Sequence, residues 1–319
     1  MLGLASGCAA LSGISDLEVV DCVGSECDAG FDTSVDVAPE APIDSGADTL
    51  VDSSRPDADA PADGDAVTDT GPEAAPDVLV CPETGTDAKA DADASADAGP
   101  CTGVSIPTTG GSYCIDATEV TNAQYGAFLA KADVCAQPSF CAWNTSFVPA
   151  SAWPAPSEKA SHPVTYVDWC DAYAYCASVG KRLCGRIGGG SNPVDAFNNA
   201  NASQCHRACS FAGARTYPYG DAYDKDACNG GDLDLKTTTP VGSRAACVGG
   251  YPGLFDMSGN VWEWEDSCTG STGAGDQCRL RGGAYNNTSA GLACAVDFLG
   301  ITTLRSKTYN NVGFRCCGP

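Results

Sequence analysis

Thiols and imidazoles are the side chains best suited to redox and metal chemistry, and this 319-residue chain uses them unequally. It has 20 cysteines and two histidines, His162 and His206. Two imidazoles cannot build a multi-histidine metal centre. No Cys-x-x-Cys pair occurs, so the thiols do not have the spacing of a metal store. They are spread along the whole chain, which reads as a disulfide framework in an oxidising compartment. His162 reads as a packed or surface histidine, and His206 has no partner in view. Gly188-Gly189-Gly190 lacks the lysine and hydroxyl of a phosphate-cradling loop and reads as a turn.

These groups need elements to position them. Tyr113–Asn122 reads as a strand running into a helix, with Thr121 as N-cap and Tyr125, Phe128 and Leu129 on one face. A second helix is predicted after Asp168, its N-cap. Asp171 adds charge to the first turn, Trp169, Tyr173 and Cys176 share a face, and Gly180 closes it ahead of Lys181-Arg182. Beyond residue 185 the chain is rich in Gly, Asn, Ser and Thr, which predicts irregular backbone held by cysteine tethers.

Charge divides the chain. Residues 1–100 hold 23 of its 41 acidic residues and two of its 17 basic ones. The remainder is nearly neutral and has no basic patch, which excludes nucleic acid as a partner. Residues 28–100 are dominated by Asp, Ala and Pro. Such a segment cannot bury enough apolar surface to fold, so a disordered linker is expected there. Residues 1–27 read as an N-terminal anchor. Ala5-Ser6-Gly7-Cys8 resembles a lipobox, with Cys8 as the lipidated residue and a true start upstream of the one given. That implies an exported lipoprotein of a bacterial outer membrane or cell surface, attached through its lipid anchor alone. No stretch elsewhere is long and apolar enough to span a bilayer. Cys22/Cys27 and Cys81/Cys101 flank the linker and could close local loops. Residues 101–319 form the globular domain.

Seven segments of that domain occur in a familiar order. They are Asp116–Tyr125, His162-Pro163-Val164 with Trp169–Cys176 and Gly180–Leu183, Tyr217–Gly220, Pro240-Val241-Gly242, Asp256–Trp264, Arg281–Tyr285 and Gly313-Phe314-Arg315. Together they resemble the formylglycine-generating-enzyme, or sulfatase-modifying-factor, family. The resemblance implies an α+β variant of the C-type lectin fold, low in regular secondary structure. One departure stands out. Where the family places a Pro-Thr-Glu segment, this chain has Cys184–Gly190, a glycine loop with an extra tether.

The resemblance also implies chemistry. Oxidase members bind copper(I) through two cysteines just after the Arg-Gly-Gly segment, and soft thiolates suit that ion. Here Ala284–Ala293 contains no cysteine, so copper is not expected. The family's calcium segment maps onto the side chains of Asp256 and Glu263 and the carbonyls of Gly259 and Val261. Hard oxygens at both ends of a glycine turn are what calcium requires. A second calcium site would map to Asn229, Gly230 and Asp232 or Asp234. The family bridges map to Cys176–Cys316 and Cys209–Cys294. Local spacing suggests Cys135–Cys141, Cys268–Cys278 and Cys228–Cys247 as well. With Cys8 lipidated, nineteen thiols remain, an odd number that leaves at least one without an intramolecular partner.

The expected protein is a monomeric, calcium-supported binding or structural module. Its ligand would be a protein or glycan, held in the former catalytic cleft at Tyr285, Asn286, Asn287, Arg305 and Tyr309. The competing reading is a divergent oxidase or protein-modifying enzyme that acts at an unrecognised site.

Overall fold

The computed structural model describes residues 101–295 and 302–318. Cys8, residues 1–27, the linker 28–100 and Cys22/Cys27 lie outside the described residues. Two small sheets and three short helices are joined by long irregular segments, an α+β arrangement. Strands β1 (Val104–Thr108) and β2 (Gly111–Ile115) form an antiparallel hairpin. Strands β3 (Arg182–Leu183) and β8 (Cys316–Gly318) complete that sheet in the order β1-β2-β8-β3. The second sheet contains β4 (Trp262–Cys268), β5 (Gln277–Arg281), β6 (Thr302–Leu304) and β7 (Val312–Gly313), in the order β6-β5-β4-β7.

Both long helices begin where side-chain oxygens can take up orphan amides. Helix α1 spans Asn122–Leu129 behind Thr121, whose hydroxyl accepts from the Gln124 amide while Gln124 Oε1 accepts from the Thr121 amide. Helix α2 spans Trp169–Ser178 behind Asp168, which exchanges the same reciprocal bonds with Asp171. Gly180, at φ 71°, ends α2. The Lys181 amide reaches the Cys176 carbonyl and the Gly180 amide reaches that of Ala177, the paired bonds of a Schellman stop. Helix α3 is a six-residue piece, Gln204–Cys209.

The main core lies between α1, α2 and the β4–β7 sheet. Tyr125, Tyr175, Trp169, Trp262, Trp264 and Phe314 are buried there. A second core fills the space between the β1–β2 hairpin and α3, with Ile106, Ile115, Leu254 and Met257. Bridges fasten these layers. Cys176–Cys316 joins α2 to β8, Cys184–Cys317 joins the start of the glycine loop to β8, and Cys209–Cys294 joins α3 to the segment after β5. Cys268–Cys278 spans opposed positions on β4 and β5, and Cys228–Cys247 ties two loops.

Two local pairings differ from expectation. Cys141 bonds to Cys170 in α2, not to Cys135, because the 3-10 turn Ser139–Cys141 lays its cysteine against that helix. Cys135 is disulfide-bonded to a residue other than Cys141. Cys101 bonds to Cys114 on β2, not to Cys81, since the β1–β2 hairpin brings it back to that strand. Cys205 is buried and free.

A buried carboxylate cluster and a remodelled loop

The segment Asp256–Trp264 turns tightly before it becomes β4. Asp256, Gly259 and Asn260 have φ of 55°, 75° and 64°. At Gly259 a Cβ would lie 2.5 Å from the Asn229 carbonyl oxygen, so only glycine lets these two backbones approach. Asn260 is the hub. Its Nδ2 donates to Glu119 Oε1 at 2.9 Å, and its Oδ1 accepts from the Thr239 amide at 2.8 Å and from Asn229 Nδ2 at 3.2 Å. Three loops distant in sequence meet on this side chain.

Around the hub, Glu119, Asp256 and Glu263 are all buried. Arg315, also buried, lies against them, and the charge of Arg244 reaches Asp256 as well. Arg315 Nε lies 2.7 Å from Glu263 Oε2 and its Nη2 lies 2.6 Å from Glu263 Oε1. Arg315 Nη2 further donates to the Asp256 carbonyl at 3.0 Å. Asp256 Oδ2 accepts from the Gly242 amide at 2.6 Å. Burial raises the Glu119 carboxyl well above its ordinary range, and the charge of Asp256 adds to the shift. Asp256 is raised by burial, against hydrogen bonding from Gly242 and the charge of Arg315. Burial raises Glu263 as well, with Arg315 opposing. Glu119 and Asp256 thus each favour the protonated form more than a carboxyl in water does.

The oxygens present suit a hard cation. Glu119 Oε2 is buried without a hydrogen-bond partner, and three acidic side chains crowd the Arg315 guanidinium. Glu263, however, is held by Arg315 through both oxygens. Among the described residues no three acidic, histidine or cysteine side chains converge as ligands. Calcium at this turn would therefore use Asp256 and a shared Glu263, completed by carbonyl oxygens such as those of Gly259 and Val261.

The residues of the second expected calcium site are not gathered. Asn229 is buried, with its Nδ2 on the Thr237 carbonyl at 2.9 Å. Gly230 packs against Leu292, where a Cβ would meet the leucine at 2.4 Å. Asp232 is exposed and accepts from the Tyr223 hydroxyl at 2.8 Å. Asp234 is exposed and pairs with Lys236 at 3.3 Å. The short 3-10 turn Gly231–Leu233 points these carboxylates outward.

The expected ligand cleft also separates. Asn287 is 1% exposed: its Oδ1 accepts from the Ala284 amide and its carbonyl accepts from the Gly231 amide, closing the loop on itself. Arg305 is 2% exposed, paired with Asp276 at 3.3 Å and stacked on Trp169 and Phe140. Neither can meet a ligand. Asn286 Oδ1 accepts from Asn311 Nδ2 at 3.1 Å, and the Tyr309 hydroxyl contacts Thr303 Oγ1 at 2.8 Å. Of the five, Tyr285 lines an open cavity. That cavity, of about 200 Å³, is walled by Trp153, Tyr166, Tyr285, Asn122, Lys159 and Asn310. Sequence reasoning missed Trp153 and Tyr166, which lie on an irregular segment without periodicity. It also passed over Glu119 and the two motif arginines. Arg281 is buried between Glu265 at 2.9 Å and the carbonyls of Phe197 and Cys294, both at 2.6 Å.

The histidines are structural. His206 is buried, and its Nδ1–H donates to the Cys294 carbonyl at 3.1 Å. Burial lowers it to about 4, with Arg281 adding to the shift. His162 contacts Thr238 Oγ1 at 2.9 Å and is lowered by burial and by Lys159.

Known proteins share this framework. The family profile of the sulfatase-modifying factor enzyme 1-like domain matches residues 68–318. The chain is 29% identical over 197 residues to an inactive C-alpha-formylglycine-generating enzyme 2 of Mus musculus, covering 53% of this chain and 55% of the relative. It is 27% identical over 190 residues to a formylglycine-generating enzyme of Thermomonospora curvata, covering 48% and 58%. A serine/threonine-protein kinase pkn1 of Chlamydia caviae is 31% identical over 176 residues, covering 49% of this chain and 24% of that one. The matches to the two formylglycine-type relatives thus span little more than half of their length. Among solved structures, CarF aligns at 22% identity with a TM-score of 0.45, over 68% of this chain and 93% of that chain. With the profile matched over most of its length, the chain belongs to the sulfatase-modifying factor enzyme 1-like family.

Proposed function

We propose that this domain is a non-oxidase binding module, supported by calcium and displayed by an exported lipoprotein. The observation that carries the reading is the loop after β5. Ala284–Ala293 holds no cysteine, and Cys294 is joined to Cys209. Asn287 and Leu292 are buried in that loop and seal it against Gly230 and Gly231. A copper(I) centre needs two soft ligands, and the thiol left free among the described residues, Cys205, is buried.

Binding is assigned to the cavity beside Tyr285. Aromatic faces from Trp153, Tyr166 and Tyr285, set among the polar groups of Asn122, Lys159 and Asn310, suit a polyhydroxylated ring or a short peptide. Export agrees with the bridges and with the described helices, none of which is long and apolar enough to cross a membrane. Calcium is assigned to Asp256 and Glu263, with the carbonyls of Gly259 and Val261.

Two measurements test the reading together. The reduced protein is expected to compete poorly with a copper(I) chelator and to consume no oxygen with a cysteine peptide. Stoichiometric copper with thiol-dependent oxygen uptake would instead establish the divergent oxidase. A glycan and peptide array probed with the full chain is expected to show ligands lost on Trp153→Ala and Tyr285→Ala. Retention by both variants would move binding elsewhere.

A further inference from the structure

Lys159 brings a positive charge to the wall of the cavity beside Tyr285. It ends the 3-10 turn Ser157–Lys159. Its Nζ donates to Thr237 Oγ1 at 3.0 Å, and among the described residues it makes no ion pair. An ammonium carries more donors than one hydroxyl can take. The backbone behind it is tied down. The Lys159 carbonyl accepts from Asn122 Nδ2 at 2.9 Å and from the His162 amide at 3.0 Å, and the Lys159 amide donates to the Pro156 carbonyl at 2.9 Å. Helix α1 therefore fixes the base of this lysine, and Thr237 meets its tip.

Among the described residues no carboxylate lines the cavity. Glu158, beside Lys159 in the chain, is exposed, and its Oε2 accepts from the Ser157 hydroxyl. A cleft lined by one sign of charge concentrates ligands of the other sign. The charge in this wall therefore selects an anion.

The other walls select a ring. Trp153 is partly buried and stands edge-on to Tyr125, with ring centroids 6.1 Å apart. Tyr166 has φ 60°, a left-handed conformation that a bulky residue seldom takes. Its amide donates to the Tyr309 carbonyl and its carbonyl accepts from the Ala150 amide, both at 2.9 Å, so bonds on both sides hold it there. With Tyr285, these side chains offer aromatic faces to the C–H face of a sugar, and neighbouring amides and hydroxyls can take its hydroxyl groups. At about 200 Å³ the cavity is smaller than the roughly 300–1,000 Å³ of drug-sized ligand pockets, which favours one ring over a run of peptide residues. An aspartate or glutamate side chain would satisfy Lys159 but has no ring for the aromatic walls to cover.

We propose, resting on the assignment of binding to this cavity, that its ligand is a glycan recognised through a carboxylated sugar, with the carboxylate on Lys159 and the ring against Trp153 and Tyr285. Lys159 is then the residue that sets specificity. A neutral sugar of the same shape fits the aromatic walls but gives the ammonium no counter-charge.

The experiment titrates the full chain calorimetrically with oligosaccharides of galacturonate and of glucuronate, with the methyl esters of both, and with an oligo-aspartate peptide. At least one acid is expected to bind, and its ester, which keeps the ring and loses the charge, to bind about tenfold more weakly or worse. Lys159→Met is expected to remove that difference and Lys159→Arg, which keeps the charge, to retain it. Lys159 is partly exposed, so both variants are expected to melt as the parent does. Equal affinity for acid and ester overturns the proposal, as does an acid preference that survives Lys159→Met, binding of the peptide alone, or binding of neither acid. Equal affinities that are both lost on Trp153→Ala overturn the role of Lys159 and leave the cavity as the binding site. Acid binding retained by both Trp153→Ala and Tyr285→Ala removes the cavity assignment and the proposal with it.

Discussion

Arg315 holds Glu263 through both carboxylate oxygens, at 2.6 and 2.7 Å, with both side chains almost completely buried. The pair joins the end of the chain to the first residues of β4. It also sets one positive charge against the carboxylates of Glu119 and Asp256.

Removing one partner of such a pair leaves an uncompensated charge in a buried site. Arg315→Met is expected to destabilise the domain by about 3–5 kcal/mol. Glu263→Gln in the same chain is expected to restore part of the loss, giving a double variant more stable than the sum of the two. Urea denaturation of the four proteins measures this coupling.

The calcium proposed here would bind the same cluster that pH acts on. Glu119, Asp256 and Glu263 all have raised pKa values, so raising the pH forces charge into the buried site. A bound cation offsets that charge. Calcium is expected to raise the melting temperature at pH 8 more than at pH 5. At a hundredfold excess over its dissociation constant the gain is about 2.7 kcal/mol. Asp256→Asn is expected to abolish the difference. Equal melting curves with calcium and with chelator at pH 8 would remove calcium from the site.

Two buried groups contribute to opposite limbs of the stability profile. Burial raises Asp168, the cap of α2, from 3.8 to about 7. A raised acid binds its proton more tightly in the folded state. Its contribution is fully present below the unfolded value and is lost as pH rises through about 7. His206 is depressed from 6.5 to about 4. Its contribution is present above the unfolded value and is lost as pH falls through about 4. Each limb is of the order of a few kcal/mol. Asp168→Asn keeps the cap oxygen and is expected to reduce the slope of the alkaline limb without changing the acid limb, and His206→Gln the reverse. Denaturation midpoints from pH 3.5 to 8.5 check both.

Cys205 is the thiol left free among the described residues. Burial raises its pKa, and the nearby carboxylates Glu265 and Glu263 raise it further. It is expected to resist iodoacetamide in the native protein and to be alkylated fully in denaturant. Rapid native labelling would show an accessible thiolate and would reopen the question of thiol chemistry.

Much of the framework was legible in the chain. Helices α1 and α2 follow from local rules: Thr121 and Asp168 cap them, and Gly180 stops the second because it alone adopts φ 71° without strain. The seven ordered motifs point to the family because each occupies a position where backbone geometry or burial admits few residues. Gly259 at the Asn229 backbone is one such position.

What the chain alone did not determine depends on which distant segments meet. Cys141 has a cysteine six positions away and another 29 away, and spacing favours the nearer. Packing of the Ser139–Cys141 turn on α2 selects the farther. Asn287 and Arg305 are polar and follow a functional motif, so by type they could face a ligand. Tertiary structure turns both inward, Asn287 onto the Ala284 amide and Arg305 onto Asp276. Glu119 is an unremarkable acid in sequence and becomes part of a buried charge cluster only when Asn260 and Arg315 arrive from 141 residues on and beyond. Residue types and local spacing determined caps, stops and the family. Burial and long-range pairing decided which of those residues hold the fold and which are left to face a ligand.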